Sequence, residues 1–517
     1  MLSSRKWLVF SSIVLALGMV LTLIRSGAIF SSKLKTSEQY WSATGLNAGE
    51  IEKLLQDQKC ASSERYFLAC VNAISVMANR YNLALGFDAE LSSAAKKTNS
   101  QALSERSLLD PWKSFYAANP KKAADISFIG VWKKLNSQFI GDEQKEMIIG
   151  LGINGFISVY QDPHTYLIPV DQFNEVVSRA DNRSISLGLI LGFHEGKHVV
   201  KKVVEGSPAK LAGIRRGDFL LAVNGVAVRG LNQVRVIELL KGTVDDSTAL
   251  LLRRNNQKIA MVLKRAEITV ATVSTRVIEG VKRLGVIGIN KFAKGACDKV
   301  KQSLQMLNKA QVRGLLLDLR DNPGGQLEEA SCVASLFLGP DEKIFEIRYF
   351  DKSKNPESYF GEEEKLFNGP MAVLINSSSA SSAEIVAGAL QDLHRAILVG
   401  EKSFGKGSFQ EGDFWETNKK LALFQTKGFF YLPSGRSPQL VGLTPDVAVK
   451  FDELSLGGEM EEYMNPLKAP AVGEVSYTSS VSINGCLEIE DESTEDVQIL
   501  KAKQVLFCAQ TAERPNL

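Results

Sequence analysis

Histidine is scarce in this chain: His164, His194, His198 and His394 are the whole supply in 517 residues. With no HExxH and no paired Cys and His spacing, a zinc site has no ligand set to use, and no metal or cofactor is expected. A Ser-His-Asp triad likewise has little to draw on. The six cysteines stand too far apart for C-x-x-C redox chemistry or a metal cluster. No long basic run exists that could neutralise a stretch of phosphates, and 61 Lys plus Arg nearly balance 58 Asp plus Glu, so nucleic acid is excluded as the expected partner. Hydrophobic residues make up 44% and prolines number 15, which rules out collagen and wholesale disorder.

A multi-span membrane protein is excluded as well. The long apolar run at the start is Trp7 to Ile24, uncharged for 18 residues behind Arg5 and Lys6. That is long for a signal-peptide core and just enough to span a bilayer. Arg25-Ser26-Gly27-Ala28 breaks the small-residue pattern of a cleavage site. The expectation for residues 1–35 is therefore an uncleaved signal anchor, with a cleaved signal peptide as the alternative. The rest of the chain is then exported: held at the inner membrane and facing the periplasm, or periplasmic if the segment is removed. The cysteines fall as Cys60 and Cys70, Cys297 and Cys332, Cys486 and Cys508, an even count that permits disulfides in that compartment. Free buried thiols are the other reading.

The length points to several domains, and the texture changes along the chain accordingly. Residues 36–181 read as mostly helical: Ile51, Leu54 and Leu55, then Tyr66 to Met77, then Ile126 to Leu135 keep a spacing near 3.6. Asp162-Pro163-His164-Thr165-Tyr166 marks a turn, and its His reads as a structural hydrogen-bonding residue. Residues 182–267 change to short strands and tight turns. Asn224-Gly225 between Phe219–Val223 and Val226–Val228 is a strong hairpin signal, and Leu231, Val234, Ile237 and Leu240 keep helical spacing. With Gly206-Ser207-Pro208-Ala209, Ala212-Gly213 and Gly217-Asp218 at its turns, this unit resembles a PDZ domain. The resemblance implies capture of a free peptide C-terminus as an added strand, its carboxylate held by a loop formed by Ser186, Leu187, Gly188 and Leu189. Ser186 stands where that family often has Gly.

Strands and helices then alternate through residues 268–452, as in an α/β domain. Strands are expected at Val286–Ile289, Val312–Arg320, Met371–Ile375 and from Ile397, and helices at Gln326–Leu338 and Ala383–Leu390. Residues 453–517 form a C-terminal extension in which Glu488 to Asp496 is an acidic, solvated run and a short helix follows to Phe507. The fold class expected is thus α/β and multi-domain, a β-sheet core with helices joined to a PDZ-like unit and a mostly helical N-terminal region.

Two segments carry chemistry. Asn376 to Glu384, with five serines, turns a buried strand into a helix, the geometry that exposes a nucleophilic hydroxyl beside the first helical amides. Glu401 to Gln410 reads as an extended region in which Lys406, Ser408 and Gln410 share a face. Gly405 and Gly407 flank the Lys, and a lysine buried beside Phe404 and Phe409 can be neutral enough to act as a general base.

These segments, with Asp318-Leu319-Arg320-Asp321-Asn322-Pro323-Gly324-Gly325, Pro433-Ser434-Gly435-Arg436-Ser437 and Gly442-Leu443-Thr444-Pro445-Asp446, resemble the carboxy-terminal processing (tail-specific) proteases from about Asp162 to Val449. In that family the nucleophile lies three residues before a Glu and twenty-five before the Lys. Both spacings land on Ser381. The resemblance implies Ser381 as nucleophile, Lys406 as base and Gln410 as the group that orients it. It also implies an oxyanion hole from the amides of Ser382, Gly324 and Gly325. Asp392 matches a structural Asp. Ser382 and Ala383 stand where the family usually has Ala and Ser, which adds a rival hydroxyl. The function implied is a serine endopeptidase acting on exported proteins recognised by their C-terminal tails, with PDZ gating and a homo-oligomer or adaptor among the family's possibilities. A catalytically silent PDZ scaffold is the alternative.

Overall fold

A computed structural model of the chain describes residues 37–46, 60, 62–79, 105–124, 145–178, 183–194, 197–229, 231, 233–269, 271–280, 282–416, 418–450, 458–463, 465–470 and 496–508. The run from Trp7 to Ile24, the spacings at 51–55 and 126–135, Cys486 and residues 488–495 of the acidic run lie outside these residues. Among the described residues no helix is long and apolar enough to cross a membrane.

The N-terminal region contributes helices α1 (Ser37–Ser42), α2 (Glu64–Asn79), α3 (Glu105–Ala118), α4 (Pro120–Ala124) and α5 (Lys145–Tyr160). They share one apolar cluster built around Phe67, Met77 and Ile148, and Cys60 is bonded to Cys70 within it. Strand β1 (Tyr166–Pro169) and helix α6 (Val170–Ser178) follow.

The next unit holds β2 (Arg183–Ser186), β3 (Leu189–His194), β4 (Lys197–Val203), α7 (Pro208–Leu211), β5 (Phe219–Val223), β6 (Val226–Ala227), α8 (Gln233–Leu240), β7 (Ser247–Arg254), β8 (Gln257–Lys264) and β9 (Ala266–Thr269). Its sheet runs β3-β4-β5-β7-β8 with β6 beside β5, over a core of its own that includes Val200, Leu220 and Leu252. The β5–β6 turn has positive φ at both Asn224 and Gly225, as the sequence pattern requires. Strands β2 and β9 pair only with each other, so the chain enters and leaves this unit through one short ribbon.

The rest is an α/β unit: β10 (Val273–Ile278), β11 (Leu284–Ile289), α9 (Ala296–Lys309), β12 (Gly314–Asp318), α10 (Leu327–Leu338), β13 (Lys343–Tyr349), β14 (Glu357–Phe360), β15 (Met371–Ile375), α11 (Ser382–Asp392), β16 (Ile397–Gly400), β17 (Ser408–Trp415), β18 (Asn418–Tyr431) and β19 (Val447–Ala448), then α12 (Glu459–Glu462) and α13 (Val497–Cys508). The main sheet is ordered β10-β11-β12-β15-β16-β19 and is parallel from β11 onward. Its central strands are apolar without alternation because both faces are covered. Leu315, Leu317, Val373 and Ile375 face the cluster that contains α9, α10 and α11. Leu316, Ala372 and Leu374 face Ile499, Ala502, Val505 and Leu506 of α13. The C-terminal extension therefore supplies the second covering layer of the sheet.

A second sheet, β1-β18-β13-β14 with β17 on β18, packs against the far side of α10 and α11 through Phe345, Ile347 and Phe430. Through β1 the segment before the PDZ-like unit joins this sheet, register Leu167↔Leu423. One expectation needs correction: residues 401–407 are not strand. Gly405, at a φ of 94°, breaks the extended path, and β17 begins only at Ser408.

Cys297 on α9 is bonded to Cys332 on α10. Replacing both by Ala removes a cross-link between two helices that flank the sheet, and is expected to lower the unfolding free energy by about 2–4 kcal/mol in denaturant titration. An unchanged midpoint would contradict this.

Candidate active site

In an open parallel sheet the ligand site lies beyond the C-terminal ends of the strands. Here three neighbouring strands deliver the three motifs to that edge: β12 ends in Asp318 to Gly325, β15 ends in Asn376 to Ser382, and β16 ends in Glu401 to Lys406.

The serine turn is fixed by its own side chains. The amide of Asn376 donates to Ser379 Oγ at 3.0 Å, and Ser379 Oγ donates to the Leu319 carbonyl at 2.8 Å. Asn376 exchanges two 3.0 Å bonds with Asp321, and the Ala380 amide donates to the Asn322 carbonyl at 2.9 Å. Ser381 sits at a φ of 56°, a region costly for a residue with Cβ and held here by these neighbours. The rival hydroxyl is engaged: Ser382 Oγ is buried and donates to the Gly325 carbonyl at 2.9 Å. Ser381, by contrast, is partly exposed.

The glycine loop lies directly on this turn. A Cβ at Gly324 would stand 2.7 Å from Ser381 Cβ and 3.0 Å from the Ser382 amide nitrogen, and one at Gly325 would stand 2.1 Å from the Phe292 carbonyl oxygen. The Gly324 amide donates to Asn322 Oδ1 at 2.8 Å. Among the described residues no acceptor takes the amides of Gly325 or Ser382, so these two are the donors open to a substrate carbonyl.

Lys406 reaches the site through its backbone. The buried carboxylate of Glu384, on the first turn of α11, accepts the amides of Ser381 (2.9 Å), Gly405 (2.8 Å) and Lys406 (2.8 Å) and the hydroxyl of Ser403 (2.5 Å). Burial pushes this carboxyl up to about 7 against the pull of its donors. The Lys406 amine donates to Gln410 Oε1 at 2.8 Å and to the Ser408 carbonyl at 3.2 Å. No hydrogen bond joins it to the Ser381 hydroxyl. Burial lowers its pKa from the ordinary lysine value, partly offset by Glu459, Glu384 and Asp162.

Gln410 has a defined orientation. Thr426 Oγ1 donates to Asp162 Oδ1 at 2.7 Å, so it accepts from Gln410 Nε2 at 3.3 Å, which turns the amide oxygen towards the lysine. Asp162 also accepts from the Thr165 hydroxyl and the His164 amide. Sequence reasoning left Glu384, Asp162, Thr426, Gln439 and Glu459 out of the site. The Asp-Pro-His-Thr turn was the one available signal, and His164 does act as a hydrogen-bonding residue, with Nε2 against Glu459 at 2.9 and 3.0 Å. Asp392 pairs with Arg436 at 2.7 Å.

In the PDZ-like unit Gly188 takes a φ of 82°, where a Cβ would stand 2.1 Å from Ser207 Cβ. Its amide donates to Ser186 Oγ at 3.2 Å, Leu187 is buried and Leu189 begins β3. Ile190 on β3 and Ile237 on α8 are exposed. Lys202 on β4 donates to Asn290 at 3.1 Å and stands 3.8 Å from Asp321, so this unit touches the glycine loop.

Residues 283–449 match the family model described as Peptidase family S41, and residues 199–254 match a PDZ domain. The Carboxy-terminal processing protease CtpA of Bacillus subtilis (strain 168) is 28% identical over 326 residues, 61% of this chain and 68% of its own length. CtpB of the same strain is 25% identical over 362 residues, 68% of this chain and 73% of its own. The solved photosystem II D1 C-terminal processing protease aligns at a TM-score of 0.47 and 22% identity, covering 71% of this chain and 94% of that one.

Changing Glu384 to Gln puts an amide donor where four donors converge. It is expected to lower stability by about 2–4 kcal/mol and to remove activity even where the variant remains folded, read by denaturation alongside a cleavage assay. Retention of both would show that Glu384 does not organise the site.

Proposed function

We propose that this chain, whose residues 283–449 match the S41 peptidase model and whose residues 199–254 match a PDZ domain, is a serine endopeptidase working through Ser381 and Lys406 on proteins recognised by their C-terminal tails. The single observation that carries this reading is the Glu384 carboxylate, which bonds the backbones of Ser381 and Lys406 in one place.

In the proposed reaction the neutral Lys406 amine leaves the Ser408 carbonyl and takes the proton from Ser381 Oγ. The oxygen attacks the scissile carbonyl, and the amides of Gly325 and Ser382 receive the negative charge that develops. The C–N bond breaks as the Lys406 ammonium returns the proton to the leaving amine. Water, deprotonated by the same amine, then attacks the acyl carbonyl, and the Lys406 ammonium returns that proton to Ser381 Oγ as the ester C–O bond breaks. Gln410 holds the amine in line between these steps. The exposed Ile190 on β3 and Ile237 on α8 suit an apolar tail, with the Ser186–Leu189 loop before β3 for the carboxylate. We place the protein outside the cytoplasm, anchored through its N-terminal run or released from it, a reading supported by that run and by the two disulfides among the described residues.

Cleavage of a protein bearing an apolar C-terminus is expected to vanish in Ser381→Ala and to fall about 10²–10⁴-fold in Lys406→Ala. Cleavage surviving both substitutions would refute the dyad. Because the base works only when neutral and its pKa is lowered, kcat/KM is expected to rise with pH through a midpoint below the ordinary lysine value of about 10.4. A rate that stays flat until that value would contradict it. The same substrate with its C-terminal carboxylate amidated is expected to be cut more slowly; equal rates would remove the PDZ loop from recognition.

A further inference from the structure

One buried acid near Lys406 takes no part in the proposed reaction. Glu459 opens α12, in the segment that follows the catalytic sheet, and is completely buried. A carboxylate so placed needs donors, and it has them. His164 Nε2 lies 2.9 and 3.0 Å from its two oxygens, and Gln439 Nε2 donates to Oε1 at 3.0 Å. Since an ionised carboxylate only accepts, the imidazole carries its proton on Nε2.

These bonds bracket Lys406 on both sides. The Glu459 amide donates to the carbonyl of Phe404, two residues before the lysine, at 2.8 Å. Gln439, which holds the Glu459 carboxylate at one end of its side chain, accepts the amide of Gly407, one residue after the lysine, at 2.7 Å. Tyr463, past the end of α12, packs edge-on against both His164 and Phe404. The charged and titratable groups that face the Lys406 amine are Glu384 from α11, Asp162 and His164 from the turn before β1, and Glu459 from α12. Glu384 is occupied by backbone amides and a hydroxyl, and Asp162 by two threonines and an amide. Glu459 alone depends on a titratable partner.

We propose that Glu459 is a positioning residue for the peptidase: brought in by the C-terminal segment and held by His164 and Gln439, it fixes the backbone on both sides of Lys406, and its negative charge sets how readily that amine gives up its proton. The proposal rests on Lys406 being the general base. A carboxylate nearby favours the ammonium form, so removing its charge releases the neutral amine at lower pH. Removing the His164 donor has the opposite effect, because a less compensated carboxylate attracts the ammonium more strongly.

The test uses the full chain and a fluorophosphonate probe, with the rate of covalent labelling followed by intact mass as a function of pH. In Glu459→Gln the acid limb is expected to move to lower pH by about one unit. In His164→Phe, which keeps a ring against Tyr463, it is expected to move to higher pH. A merely structural role scales the rate at every pH and leaves the midpoint in place, so midpoints coinciding with the parent would overturn the proposal. Should Glu459→Gln fail to melt cooperatively, the direction of the His164→Phe shift decides alone. Labelling that persists in Ser381→Ala sinks the underlying reading instead. Labelling lost in Ser381→Ala with unmoved midpoints in the other variants sinks only this proposal.

Discussion

One buried carboxylate organises this active site. Glu384 receives the amides of Ser381, Gly405 and Lys406, and the two segments they belong to descend from neighbouring strands of the same sheet. A charge with no access to water must be matched by donors, and the chain satisfies it with the backbone of the two residues proposed as nucleophile and base. Position follows from electrostatics: neither segment can drift without stranding the carboxylate. The raised pKa of Glu384 and the lowered pKa of Lys406 have the same origin, removal from water, and they bring the two groups towards shared neutrality.

Around that centre the fold works in layers. The parallel strands place three motifs along one edge, and helices on one face with α13 on the other keep the strands dry. The second sheet brings Gln410 and Thr426 up to the lysine, and β1 brings Asp162 and His164 with it. The PDZ unit, attached by the β2–β9 ribbon, reaches the glycine loop through Lys202. Lys202 thus stands against the same turn that carries Gly325.

Much of this was legible in the sequence because it is local. The central strands are apolar runs, the hairpin at Asn224-Gly225 is a backbone requirement, and the α10 and α11 helices begin within a residue or so of where spacing puts them. Less was legible where partners are distant. Strand β18 spans 14 residues and is shared by β1, β13 and β17, so no simple alternation marks it. The role of α13 as a sheet cover depends on contacts with β12, β15 and β16, about 100 residues or more back along the chain. In the site, Ser381, Lys406 and Gln410 stand out through motif spacing, and the engaged hydroxyl of Ser382 became visible only with its acceptor. Glu459 carried no signal at all, since a single acid in an irregular segment means nothing until His164 and Gln439 are seen to hold it.

The central claim is that the amine at position 406 is neutral in the working range. It is tested most directly by carbon-13 titration of lysine Cε resonances in the folded chain, with Lys406 assigned by its absence in Lys406→Arg. The account predicts a midpoint clearly below that of the surface lysines. A Lys406 signal that titrates together with them would contradict it.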